Sequence, residues 1–450
     1  MKVGFYFKNG DLAAIDARHP EKGNPGMGGR QYMNIMIAYH LARDPAFPVT
    51  SYVFSELPAK LPDEVTSVVC GSVIDAVTAA AGLGVDYFIT DVSLSFDSVD
   101  QLLTIAEQEG VKLIIVLSLV PSSRILHRLN DSTAVAAVVC VEKQVLGMLW
   151  DHPVVRKSSV VPNGIAWAPF ETAPVPFDAR GPVVTYIGSL VPQKGFGRLA
   201  RAWPKVLNQA PDAILQVIGS GALYREGAEL GKWGVASERF EHEEIRPYLS
   251  DEAGRPHPSV KFLGVLGAEK VDVLRSSWIG IANPVGSTET FCISAVEIQA
   301  AGTPVIAGAK YGLFDTVQDG ETGYLVNDVS ELADRIVHLL KDHAAAERMA
   351  EKARLFAQGR YAFENITPRW QALLTALAAG GPVPAAEPAG PSRTWGIAFA
   401  RRNAAVKRLF GMPKWWPSYL GLCDRVNSAK RSFRHTAPRL FDTVQNLRGK

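Results

Sequence analysis

Short apolar runs alternate with stretches of helical pattern along most of this 450-residue chain, and that alternation restricts the fold more than any single residue does. Residues 3–7, 51–54, 67–70, 87–90, 113–117 and 136–141 each read as a strand. Helical stretches separate most of them, as at 76–81 and 99–108, and the first helix carries Tyr32, Ile35, Met36 and Tyr39 on one stripe. Strands and helices in this order imply a parallel sheet covered on both faces, an α/β fold whose ligands bind beyond the carboxyl ends of the strands. Asp91 and Ser118, each just past a strand, are therefore site candidates. The pattern then repeats. A strand at 159–161 enters the Asn163-Gly164 turn, a proline-rich stretch covers 168–182, and new strands follow at 183–187, 214–218, 260–264, 279–282 and 305–306. Two Rossmann-like units joined by a linker are expected.

Composition adds limits. A chain of this length holds two or three domains with ample core. No segment approaches the roughly 20 uncharged apolar residues that span a bilayer. The N-terminus becomes charged at Lys8, too early for a signal peptide. Cys70, Cys140, Cys292 and Cys423 are scattered, which argues for reduced thiols in the cytoplasm and against a zinc site or disulfide frame.

The densest chemistry lies at 286–297, where Glu289 and Glu297 stand eight positions apart around an apolar run that opens a helix. Eight residues advance a helix by roughly 80° beyond two turns, so both acids are expected on nearly the same face. A helix start offers free N–H groups and a positive dipole end, which suit an anion. An acid pair of this spacing is more often a cap and a solvated charge, but this helix is apolar almost throughout, and a buried carboxylate needs a partner. Upstream, the 183–187 strand runs into Gly188-Ser189 and then Lys194-Gly195 before a helix, a plausible phosphate cradle. The glycines at 26–29 lack dinucleotide-fingerprint spacing.

Asn283-Pro284, Glu289-Thr290-Phe291, Glu297 and the run from Ala300 to Ile306 resemble the signature of family-four retaining glycosyltransferases of the GT-B type. Val161-Pro162-Asn163-Gly164-Ile165, the Gly188–Gly195 loop and Asp319-Gly320-Glu321-Thr322-Gly323 match further family motifs in the same order. The resemblance implies two Rossmann-like domains facing each other across a cleft: an acceptor-side domain at 1–170, a linker at 171–182, a nucleotide-sugar domain at 183–365, and a helix at 366–380 crossing back to the first domain. It implies a donor site of Gly28, Gly29, Gly188, Ser189, Lys194, Gly219, Phe291, Cys292, Ile293, Ser294 and Glu297. Glu289 and Lys194 would be catalytic, and Asp91 and Ser118 would lie on the acceptor side. Ser189 replaces the usual arginine, which leaves Arg198 or Lys310 to complete the diphosphate clamp. Leu117-Ser118-Leu119 replaces a histidine that touches the donor sugar in many relatives.

The expected activity is transfer of a sugar, with retention, from a UDP- or GDP-sugar to a glycan or lipid-linked acceptor in envelope polysaccharide or lipopolysaccharide synthesis. The donor is a substrate, no further cofactor is expected, and no D-x-D pair calls for a metal. A non-catalytic sugar-nucleotide scaffold and a GT-B epimerase are the alternatives.

A Pro/Ala linker at 381–392 leads to a tail at 393–450 with thirteen Lys or Arg against two Asp, a net of +11 that leaves the rest of the chain at −9. Aromatics are interleaved among these cations, as suits the headgroup layer of an anionic membrane at the inner face of the plasma membrane. A basic helical extension packed on the body, or a disordered one, is the other reading. Nucleic acid is not an expected partner, because no recognition motif is present and the body is acidic. The acidic, proline-bearing stretch 236–259 reads as a solvated insertion.

Overall fold

A computed structural model of the chain describes residues 1–10, 15–92, 95–222, 229–286, 289–386, 395–412 and 416–436. Thirteen strands among them form two all-parallel sheets. The first sheet holds β1 (Lys2–Phe7), β2 (Thr50–Ser55), β3 (Thr66–Val69), β4 (Tyr87–Asp91), β5 (Lys112–Leu117), β6 (Val135–Cys140) and β7 (Ser158–Val160), in the order β3-β2-β1-β4-β5-β6-β7. The second holds β8 (Val183–Ile187), β9 (Ile214–Ile218), β10 (Val260–Gly264), β11 (Ile279–Ala282), β12 (Val305–Gly308) and β13 (Gly323–Val326), in the order β10-β9-β8-β11-β12-β13. Central strands are covered on both faces, so Leu113, Ile114 and Ile115 of β5 are all fully buried and their stretch reads as an unbroken apolar run. In both sheets the order reverses beside the first strand of the domain, where a crevice opens at the carboxyl ends.

The stretch between the domains is not a free tether. Phe177 is buried, and the Arg180 guanidinium donates to the carbonyls of Val175 (2.8 Å), Ser277 (2.9 Å) and Gly302 (3.0 Å). The helix Phe363–Ala378 packs Phe363, Ile366, Trp370 and Leu374 into the first domain's core, against the helix Gly29–Arg43. Across the domain junction, Tyr361 O–H donates to the carbonyl of Asp315 (2.8 Å) and to Glu142 Oε1 (3.2 Å), and the amide of Gln144 donates to Asp315 Oδ2 (2.9 Å).

The solvated reading of 236–259 is corrected. Glu241 is fully buried and accepts the amides of Trp233 (2.7 Å), Val235 (2.8 Å) and Ala236 (3.0 Å), while Phe240, Ile245 and Leu249 join the core of the second domain. One acid organises a turn there, and the exposed Glu243 and Glu252 disguise it.

The described part of the tail is helical, at Trp395–Phe410 and Tyr419–Thr436, and it packs on the first domain. Ile397 and Ala400 are buried, with Ile397 against Gly147. Asp151 accepts from Asn403 Nδ2 (2.6 Å) and the Tyr419 amide (2.7 Å), and Asp424 accepts the Ser123 amide (2.7 Å). Residues 387–394, 413–415 and 437–450, including Trp415 and Phe441, lie outside the described residues.

Candidate functional site

Between the two sheets lies a cavity of about 280 Å³. Its charged wall is built by two loops of the second domain, one after β8 and one after β11. Gly195 locks them together: its φ of +75° and the 2.2 Å that would separate a Cβ from the carbonyl oxygen of Pro284 both demand glycine. Lys194, its neighbour, is thereby held over the second loop. Along that loop Asn283 (φ 44°), Val285 (φ 54°) and Cys292 (φ 71°) take left-handed backbone conformations that non-glycine residues rarely adopt. Such conformations cost about 1–3 kcal/mol each and concentrate where function fixes the chain.

Glu289 comes out of this loop under tight control. Its Oε2 accepts from Lys194 Nζ at 2.8 Å and from Asn283 Nδ2 at 3.0 Å. The helix starts later than the sequence pattern implies, at Ile293, because the left-handed turn at Cys292 precedes it. Glu297 therefore sits one turn into the helix, and Glu289 lies in the loop before it rather than on a shared helical face. The amides of Ile293 and Ser294, in the first turn, have no intrahelical acceptor, and both residues line the cavity. Glu297 is buried and paired with Lys270 Nζ at 2.8 Å, each side chain only 9 % exposed. Burial first, and the Glu289 charge next, push the Cys292 thiol up, which keeps it neutral.

The first domain supplies the opposite wall. Gly29 faces Ile293, whose Cδ1 would lie 3.0 Å from an added Cβ. Arg30 lines the cavity and pairs with Asp91 at 2.6 Å. Thr290 Oγ1 donates to the carbonyl of Ser118 at 2.6 Å, tying the walls together.

Of the residues expected from sequence, Gly29, Ser118, Gly188, Ser189, Lys194, Gly219, Glu289, Phe291, Cys292, Ile293, Ser294 and Glu297 all line this cavity. Gly28 caps the helix Gly29–Arg43 without lining it, and Asp91 stands behind Arg30. Arg198 and Lys310 do not line it either; the second cation in the wall is Lys270. Sequence reasoning also passed over Asn24, Arg30, Asn163 and Tyr186 as lining residues. Arg30 adjoins the glycines and Asn163 lies in a quoted motif, so both were within reach. Nothing local marks Lys270.

Two parallel-sheet domains with a cleft between their carboxyl edges define the GT-B architecture, and solved structures agree. Sucrose-phosphate synthase from Thermosynechococcus elongatus superposes with a TM-score of 0.63 at 19 % identity, over 85 % of this chain and 100 % of that one. Anabaena HepE, in a complex with UDP and glucose, gives 0.61 at 17 % identity over 84 % and 100 %. Residues 181–342 match the family model described as Glycosyl transferases group 1. The phosphatidyl-myo-inositol mannosyltransferase of Mycobacterium leprae is 30 % identical over 210 residues, 45 % of this chain and 50 % of the relative. The D-inositol 3-phosphate glycosyltransferase of a Nocardioides species is 30 % identical over 201 residues, 41 % of this chain and 40 % of the relative. The chain thus spans about half the length, or less, of the curated relatives it matches.

Proposed function

We propose that this protein is a metal-independent, retaining hexosyltransferase that moves a sugar from a UDP- or GDP-sugar to a glycan or lipid-linked acceptor of the cell envelope. One observation carries the reading: Lys194 and Glu289 meet at 2.8 Å in the cleft wall, beside the start of the helix Ile293–Ala300. The pyrophosphate docks on Lys194 and the first amides of that helix, where positive charge is already arranged. Lys194 is then shared between Glu289 and the departing diphosphate. Glu289, oriented by Asn283, faces the sugar and stabilises the cationic character that grows at its anomeric carbon as the bond to the phosphate oxygen breaks. Glu297, steadied by Lys270 on one oxygen, accepts the ribose hydroxyls with the other.

The relatives' names, with phosphatidyl-myo-inositol and inositol 3-phosphate in them, support a hydroxyl-rich, phosphate-bearing acceptor. The UDP in the HepE complex supports a uridine nucleotide. The test is a panel of sugar nucleotides: one or two should raise the melting temperature, and their sugar should appear on an acceptor with its anomeric configuration kept, in EDTA as in magnesium. If no nucleotide shifts the melting curve, the proposal fails.

A further inference from the structure

The helix Trp395–Phe410 is turned the wrong way round for a helix that ends in water. Its inner face (Gly396, Ile397, Ala400) is buried against the first domain, as packing requires. Its outer face should then be polar. Instead Trp395, Arg402, Val406 and Leu409 fall on one outward stripe, with Phe410 beside them. Trp395 is 73 % exposed, Leu409 79 % and Phe410 72 %. Across the turn Trp416 is exposed as well. The helix carries Arg401, Arg402, Lys407 and Arg408 and no carboxylate.

We propose that this outward face is a docking surface for an anionic lipid layer. An aqueous face of this composition leaves large apolar side chains wet, so something covers it in use. The arginines decide the chemistry of that cover: it must be negatively charged where it meets the helix. The shape decides its texture. Leu409 and Phe410 project from the end of a helix, and a deformable headgroup layer takes such projections without a matching pocket. Apolar and aromatic side chains entering the interface beside cations that bind acidic headgroups is how a helix lies in a membrane plane.

The anchoring is built to carry load. Asp151 ties the two tail helices to each other and to the body, through Asn403 and the Tyr419 amide, while Lys407 Nζ donates to the Asp151 carbonyl at 2.8 Å. Asp424 holds the start of the helix Ser123–Asp131, which follows β5 and the cavity-lining Ser118. The docking face is therefore fixed to the acceptor-side domain. Taken with the proposed transfer reaction, on which this step rests, it presents the cleft to acceptors embedded in the same lipid layer.

The test uses the full chain and vesicles of phosphatidylcholine alone or mixed with phosphatidylglycerol. The chain should sediment with the mixed vesicles, less so at high salt, and stay in solution with phosphatidylcholine. Leu409→Glu/Phe410→Glu and Arg402→Glu, all at exposed positions on or beside the outward stripe, should each lower partitioning about tenfold or more without altering the melting shift caused by UDP. Full sedimentation of both variants overturns the proposal, as does a wild-type chain left in the supernatant. A concentration-dependent dimer in light scattering that Leu409→Glu/Phe410→Glu dissolves also overturns it, because a second copy then covers the face. Vesicle binding without any nucleotide-induced shift would instead sink the transferase reading and leave this one standing.

Discussion

The two walls of the cleft handle charge in opposite ways. On the second-domain wall the charges are kept and paired: Lys194 with Glu289, Lys270 with Glu297, each at 2.8 Å. At several buried positions around the first domain, charge is suppressed instead. Burial pushes the Glu142 carboxyl up, together with that of Asp315 facing it from the second domain across the junction, and pushes the imidazole of His40 down to about 4. Apart from Arg30, that domain gives the cavity neutral groups and backbone, among them Asn24, Gly29, Ser118 and Asn163. In the proposed reaction the pyrophosphate is common to UDP- and GDP-sugars and needs fixed charges in fixed places. Acceptors differ, and a wall of neutral loops can change without disturbing the charged one. The match at 181–342 falls on the charged wall, in keeping with that division.

The contrast can be broken at its strongest point. Glu289→Gln should lower transfer about 10³-fold, by removing the negative charge opposite the anomeric carbon, while UDP still raises the melting temperature. Transfer at the wild-type rate would remove Glu289 from the chemistry. Lys270→Met leaves Glu297 buried without its cation, and should destabilise the protein by about 3 kcal/mol, the low end for a broken buried pair because the cavity admits water. Urea unfolding with and without UDP measures it, and Lys270→Met/Glu297→Gln should recover part of the loss. Lys194→Ala should cost about 10² in transfer and weaken nucleotide affinity as well, which isothermal titration would report. On the neutral wall, Arg30→Ala should raise the acceptor KM about fivefold and leave the donor KM alone. A donor-only effect would place the acceptor elsewhere.

Much of this arrangement was legible in the residue order. Central parallel strands buried on both faces write themselves as apolar runs, so β1, β5, β6, β8 and β11 can be found without knowing the sheet order, whereas the edge strand β3 is largely exposed. The loops that carry Lys194 and Glu289 are marked by glycine and proline at fixed offsets. Sequence failed where a side chain's environment is set by elements far along the chain. Lys270 opens a short helix in a charged stretch and looks like a surface residue; only the packing of that helix against Ile293–Ala300 turns it inward, onto Glu297. Glu241 is the same error in reverse, an acid in acidic company whose three amide donors come from a turn upstream. The late helix start at Ile293 was hidden because a cysteine gives no warning of a left-handed turn.

His40 offers the finest test of charge suppression on the first-domain side. Its ring stacks on Phe363 at 4.6 Å between centroids, with the planes 5° apart, so it lies where the crossing helix meets the helix Gly29–Arg43. Burial, and secondarily the nearby Arg43 cation, hold its pKa at about 4, below the unfolded value near 6.5. The native state thus binds fewer protons than the unfolded chain between these values. Stability from this group is fully present above about pH 6.5 and is lost as pH falls toward 4, a loss on the order of 3 kcal/mol. His40→Phe keeps the stack and cannot take a proton, and the buried Nε2 has no hydrogen-bond partner to forfeit. Unfolding free energies of the two proteins should therefore agree near pH 7.5 and diverge below pH 6, with the variant the more stable. Parallel curves down to pH 4.5 would mean that the ring takes up its proton in the folded protein as readily as in the unfolded chain, and that the crossing helix tolerates a buried charge there.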